Sequence, residues 1–169
     1  TTLALWVGGI VLVALMKVKV DYEDDEFKDA TEHQKYMGRA LLFLAMGQLQ
    51  ALVVVLGDLY ILKIDCTHPF MLWLAAAITS FVFTLFIYTL VLTFGDLGKA
   101  IAVVMIVLQI AGSGGTYPIE LLPEFFQNVY LYFPFPYAIN AMREAISGLY
   151  QCDYAVFLVK LCAYAVISL

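Results

Sequence analysis

FMLWLAAAITSFVFTLFIYTLVLTF, residues 70–94, runs for twenty-five residues without one Asp, Glu, Lys or Arg. Coiled as a helix rising 1.5 Å per residue, it outspans the roughly 30 Å hydrocarbon core of a bilayer. A surface helix of a soluble protein carries charge on its outer face; this stretch carries none. Just upstream, residues 40–62 form a second apolar run of similar length. Shorter apolar runs occupy 3–16, 100–111 and 154–169. The pattern predicts an all-α integral membrane protein with about five transmembrane helices.

Composition agrees. Hydrophobic residues are 63% of the chain and charged residues 14%, against roughly 45–50% and 25% in soluble domains. The net charge of −5 gathers in the acidic stretch 21–32 and offers nucleic acid no basic patch. Three cysteines, Cys66, Cys152 and Cys162, are too scattered for a disulfide scaffold, and a Cys66–Cys152 bridge is not expected. The chain opens at Thr1 with an apolar run under way by Leu3 and stops inside another at Leu169. It therefore reads as a piece of a longer protein.

Orientation comes from Lys and Arg. Residues 17–39 carry Lys17, Lys19, Lys28, Lys35 and Arg39, five of the nine basic residues. The positive-inside rule makes that loop cytoplasmic. Alternation then puts 63–69 outside, 95–99 inside and the long connection 112–153 outside. That connection holds a single basic residue, Arg143. Within the cytoplasmic loop, Thr31-Glu32-His33-Gln34 matches a capping box and predicts a short helix of its own.

The connection 112–153 is rich in signals. Gly112, Gly114 and Gly115 should end the fourth helix, and Pro118, Pro123, Pro134 and Pro136 interrupt the chain beyond it. Phe125, Phe126, Val129, Tyr130 and Phe133 share one helical face. Ala138, Ala141, Met142, Ala145, Ile146 and Leu149 make a second apolar stripe, opposite Asn140, Arg143, Glu144 and Ser147, with Gly148 as its stop. Broken backbone at membrane depth persists only where protein or water covers it, so the segment reads as an extracellular re-entrant helical hairpin. Arg143 should find a carboxylate there, Glu120 or Glu124.

GKAIAVVMIVLQIAGSGGTYPIELLPEFFQNVYLYFPFPYAINAMREAISG, residues 98–148, resembles the C-terminal membrane region of the YhgE/Pip proteins, within the type-2 ABC-exporter permease superfamily. The resemblance rests on the glycines at 112–115, Tyr117-Pro118, Leu122-Pro123, and Pro136-Tyr137 followed by Arg143-Glu144, and extends from Leu3 to the end. It implies a type-2 ABC permease architecture in a multi-pass bacterial plasma-membrane protein. It also implies one earlier span, a large extracellular domain and a homodimer. Superfamily permeases couple to a cytoplasmic ATPase through the loop between their second and third spans. That loop corresponds here to residues 17–39, with Glu26, Thr31 and Gln34 as coupling residues. The YhgE/Pip association with phage adsorption and specialised protein secretion points instead to secretion-system partners. Two functions stay open: a permease-like domain of a transport or secretion assembly, and a non-transporting scaffold displaying the extracellular domain.

Other chemical signals are weak. Gly95-Asp96-Leu97-Gly98-Lys99-Ala100 has the wrong glycine spacing, and no Ser or Thr after its lysine, for a phosphate loop. Asp65-Cys66-Thr67-His68 lacks the paired ligands of a zinc site. No enzyme, cofactor or metal function is expected. Gly47, Gln50 and Asp58 on the second span, with Ser80 and Thr84 on the third, form either a polar path or a helix-packing seam. Packing is the favoured reading, with Asp58 near enough to the outer end for water to reach. Lys160 should snorkel to the outer interface.

Overall fold

The computed structural model describes residues 1–16, 32–112, 124, 133–148 and 153–167. All regular structure among them is helical: α1 (Thr2–Leu15), α2 (Glu32–Leu56), α3 (Pro69–Phe94), α4 (Asp96–Gly112), α5 (Pro134–Ser147) and α6 (Asp153–Ile167). A π-helical turn, Gly57–Ile61, prolongs α2. Two segments, Tyr36–Ile61 and Pro69–Phe94, are long and apolar enough to cross a membrane, and the apolar parts of α1 and α6 are shorter.

Helix α3, built from the charge-free stretch 70–94, is the central post and touches each of the other five helices. Pro69 starts it, since proline's fixed φ suits the first helical position and its missing N–H is not needed there. Gly95 ends it at φ +60°, a left-handed value that glycine adopts without a Cβ clash. That single residue turns the chain into α4. Gly98 then lies so close to α3 that a Cβ there would sit 2.4 Å from the carbonyl oxygen of Leu90. Asp96 and Lys99 pair at 3.0 Å on the exposed side of the same turn. The Gly-Lys segment is thus a tight helix–helix corner.

Helices α1 to α4 run alternately up and down, α5 keeps the direction of α4, and α6 returns in that of α3. The hydroxyl of Tyr154, at the start of α6, donates to Met71 O at 2.8 Å. Thr1, just before α1, donates its hydroxyl to the carboxylate of Asp58. Both contacts lie at the end of the bundle that holds the α2–α3 loop. At the other end the Tyr36 and Thr89 hydroxyls meet at 3.0 Å, and Tyr88 donates to Tyr36 O at 3.4 Å. The core centres on Trp6, Phe83 and Phe135, which join α1, α3 and α5. Trp6 meets Phe83 edge-on with centroids 4.8 Å apart, and its indole N–H donates to Ala102 O of α4 at 3.3 Å. A buried indole N–H needs such an acceptor, and the main chain supplies it.

Two boundaries differ from the sequence reading. Helix α2 begins at Glu32 and runs on into the apolar span, so the helix expected at the capping box is continuous with that span among the described residues. Gly38 alone cannot break it, because one glycine costs only about 1 kcal/mol of helix propensity. Helix α5 begins at Pro134, four residues before the expected apolar stripe. Glu26, Thr31, Gly114, Gly115, Pro118, Pro123, Glu120, Cys152 and the first amphipathic stretch up to Tyr130 lie outside the described residues.

Candidate functional site

Helix α5 occupies only part of the bundle's depth. Its fourteen residues are worth about 21 Å at 1.5 Å each. At its start, Phe135 stacks on Phe83 of α3, centroids 5.6 Å apart and planes 6° apart. Phe83 lies midway along Pro69–Phe94. At its finish, α5 meets the α2–α3 loop that precedes Pro69. It therefore reaches in from that end and covers about half of α3, antiparallel to it. Pro134 and Pro136 stand in its first turn, where their missing N–H groups cost nothing. Its buried face holds Phe135, Ala138, Ala141, Met142 and Ala145, while Arg143 and Ser147 are exposed. Gly148, at φ +109°, stops it in a backbone conformation that favours glycine.

The last carbonyls of a helix have no partner within it, and in an apolar setting each would be costly. The α2–α3 loop supplies what α5 lacks. Ala145 O accepts the Cys66 thiol at 3.4 Å and the His68 N–H at 3.4 Å. Ile146 O accepts both the hydroxyl of Thr67, at 3.1 Å, and its N–H, at 3.3 Å. The Cys-Thr-His segment, for all its metal-binding residue types, caps a neighbouring helix. Cys66 and Cys162 are free thiols.

The expected polar-path residues face different helices. Ser80 Oγ donates to Gly47 O at 2.7 Å, and a Cβ on Gly47 would sit 2.6 Å from Thr84 Oγ1. One step along α2, Gln48 donates to Ala77 O at 3.0 Å. Gln50 turns instead to α1, where its amide crosses Gly8 and donates to Ala4 O at 2.8 Å. Asp58 stands in the π turn, buried and bonded to the Thr1 hydroxyl, less open to water than its position in the sequence suggests. Lys160 is exposed, and its ammonium lies 5.5 Å from the centroid of the Tyr137 ring of α5, a cation–π contact. Gln34 is exposed near the start of α2, and Gly112 is the last residue of α4.

Sequence reasoning missed the capping segment 66–68, the Trp6–Phe83–Phe135 cluster and the burial of Gln109, which is 1% exposed. A lone amide inside the apolar run 100–111 was the available signal for the last. The other two join residues distant in sequence and leave no local pattern.

Residues 33–146 match the ABC-2 type transporter family. The chain is also 31% identical over 147 residues to a Bacillus subtilis (strain 168) protein named "Uncharacterized protein YhgE". That similarity covers 87% of this chain and 18% of the relative, so the chain spans under a fifth of that protein's length. No solved structure matches. A transporter-family match across two long apolar helices and the buried start of α5 makes this an all-helical membrane component, and the chain belongs to the ABC-2 type transporter membrane family.

Proposed function

We propose that the chain is the permease-like membrane domain of a bacterial transport or secretion assembly of the YhgE/Pip type, multi-pass in the plasma membrane. The observation that carries this reading is α5, a half-length helix that lies beside α3, reaches no deeper than Phe83 and is capped by the α2–α3 loop. Half-helices whose ends lie inside a membrane protein border pathways in transporters. In this reading α1, α2, α3, α4 and α6 are the five spans. Residues 112–153 form the extracellular re-entrant connection, with Gly112, Gly114, Gly115, Pro118, Pro123, Pro136 and Arg143 shaping it. Residues 17–39 are the cytoplasmic loop. Through Glu26, Thr31 and Gln34 that loop would meet a cytoplasmic ATPase or a secretion component. The assembly is a homodimer.

One observation favours the scaffold alternative. Gly47, Gln50, Ser80 and Thr84 are engaged in helix-to-helix contacts, which leaves them no open path to line. A scaffold displaying an extracellular domain needs none.

Cysteine labelling in intact cells tests the topology. In a cysteine-free full-length protein, Gln127→Cys should react with an impermeant thiol reagent and Glu26→Cys should not. Labelling at 26 without labelling at 127 would reverse the orientation. An ATPase co-purifying with the protein, and lost on charge reversal at Glu26, would support transport over scaffolding.

A further inference from the structure

Three polar side-chain atoms inside the bundle have no hydrogen-bond partner among the described residues: Oε1 and Nε2 of Gln109, and Oγ1 of Thr79. Gln109 is 1% exposed and Thr79 is 0% exposed. The neighbouring polar groups are served. Ser80 reaches Gly47 O, Gln48 reaches Ala77 O and Trp6 reaches Ala102 O. A threonine within a helix ordinarily gives its hydroxyl to the carbonyl one turn earlier, as Thr93 does to Thr89 O at 2.8 Å. Thr79 does not.

The two residues stand at the same height on adjacent antiparallel helices. Gly98 of α4 touches the backbone of Leu90 and Val91 of α3. Counting along both helices from that contact brings Gln109 level with Thr79 and Ser80. Gln109 continues the buried stripe of α4 begun by Ala102 and Ile106, and Thr79 is on the buried surface of α3. Leaving an amide and a hydroxyl unpaired in an apolar interior costs several kcal/mol. Buried water forms two to four hydrogen bonds and settles beside such orphaned groups. An amide offers both a donor and an acceptor, and so does a hydroxyl.

We propose that Gln109 and Thr79 together hold one buried water molecule in the seam between α3 and α4. The site lies at the height where Ser80 ties α3 to α2, so the water completes a polar layer across three helices. This inference does not depend on which function the assembly performs.

The test uses full-length protein in detergent, with Gln109→Met, Thr79→Val and the double variant, each close in shape to the original. If the two residues share a water, each single change lowers the thermal midpoint by about 2–4 °C. The double change then costs no more than the larger single one, because either alone dismantles the site. Single variants as stable as the parent, or more so, would overturn the proposal. So would a double variant whose loss is the sum of the two. A high-resolution map of the full-length protein gives a second readout: density within hydrogen-bond distance of both side chains supports the water. A direct Gln109–Thr79 bond, or a group from residues 113–132 on the Gln109 amide, rules it out.

Discussion

The ring of Phe135 lies parallel to that of Phe83, with centroids 5.6 Å apart and planes 6° apart. This stack fixes how deep α5 reaches, because it joins the first turn of a short helix to the midpoint of a long one. Trp6 closes the cluster edge-on, with its centroid 6.0 Å from that of Phe135.

Phe135→Ala should therefore be among the more damaging single changes in the bundle. Removing a buried phenylalanine costs about 3–5 kcal/mol where the surroundings cannot collapse, and two rigid rings border this one. Phe135→Leu keeps most of the volume and should cost less. Thermal unfolding of the purified protein in detergent ranks the two; equal losses would show that filling the volume counts for nothing here and that the ring contact carries the whole effect.

Glycines in this fold should respond in opposite ways. At Gly98 a Cβ would lie 2.4 Å from Leu90 O, a backbone atom that cannot rotate aside. Gly98→Ala must push α4 off α3, at about 1–3 kcal/mol. At Gly57 nothing lies within 4 Å, so Gly57→Ala should be neutral or raise stability by up to about 1 kcal/mol. The pair of thermal midpoints checks both signs.

Ser80→Ala removes a 2.7 Å bond to Gly47 O and should cost about 0.6 kcal/mol, the average for interhelical hydrogen bonds in a membrane protein, and no more than about 1.7. Gly47→Leu should cost more, because its side chain would collide with both Ser80 and Thr84. If the leucine variant were the more stable of the two, α2 and α3 would not be as close as described.

Thr67→Val keeps the N–H bond to Ile146 O but loses the hydroxyl bond. A hydrogen bond of this kind contributes about 0.5–1.5 kcal/mol. Local opening at the end of α5 should rise about fivefold per kcal/mol lost. Cys66, whose thiol donates to Ala145 O, reports that opening. Its alkylation by a small reagent should accelerate in the variant while that of exposed Cys162 stays unchanged.

Much of the architecture is legible in the sequence because membranes impose long, unbroken apolar runs. Residues 70–94 correspond almost residue for residue to Pro69–Phe94. The stop at Gly148 is equally readable, since glycine there is a local requirement of the backbone. What escapes is contact between distant segments. Nothing near Cys66, Thr67 or His68 announces that they cap a helix some eighty residues later. Gly47, Ser80 and Thr84 can be picked out as one group, but Gln50 belongs to a different seam, and helical periodicity alone does not say which neighbour a face will meet. The Tyr137 ring beside Lys160 likewise lies on another helix, where no local pattern points to it.

Many of the bonds that tie these helices together run from a side chain to a main-chain carbonyl: Trp6 to Ala102, Gln48 to Ala77, Gln50 to Ala4 and Tyr154 to Met71. Every residue type carries that acceptor. The donor in each pair is therefore constrained in chemistry, while its partner answers only for size. Substitution at one position calls for no matching substitution at the other, so such pairs should leave little trace of correlated change between positions, even in a deep set of relatives. Distant members of the family can keep these junctions while their acceptor residues drift freely, and covariation-based contact maps should underreport the seams that hold this bundle together.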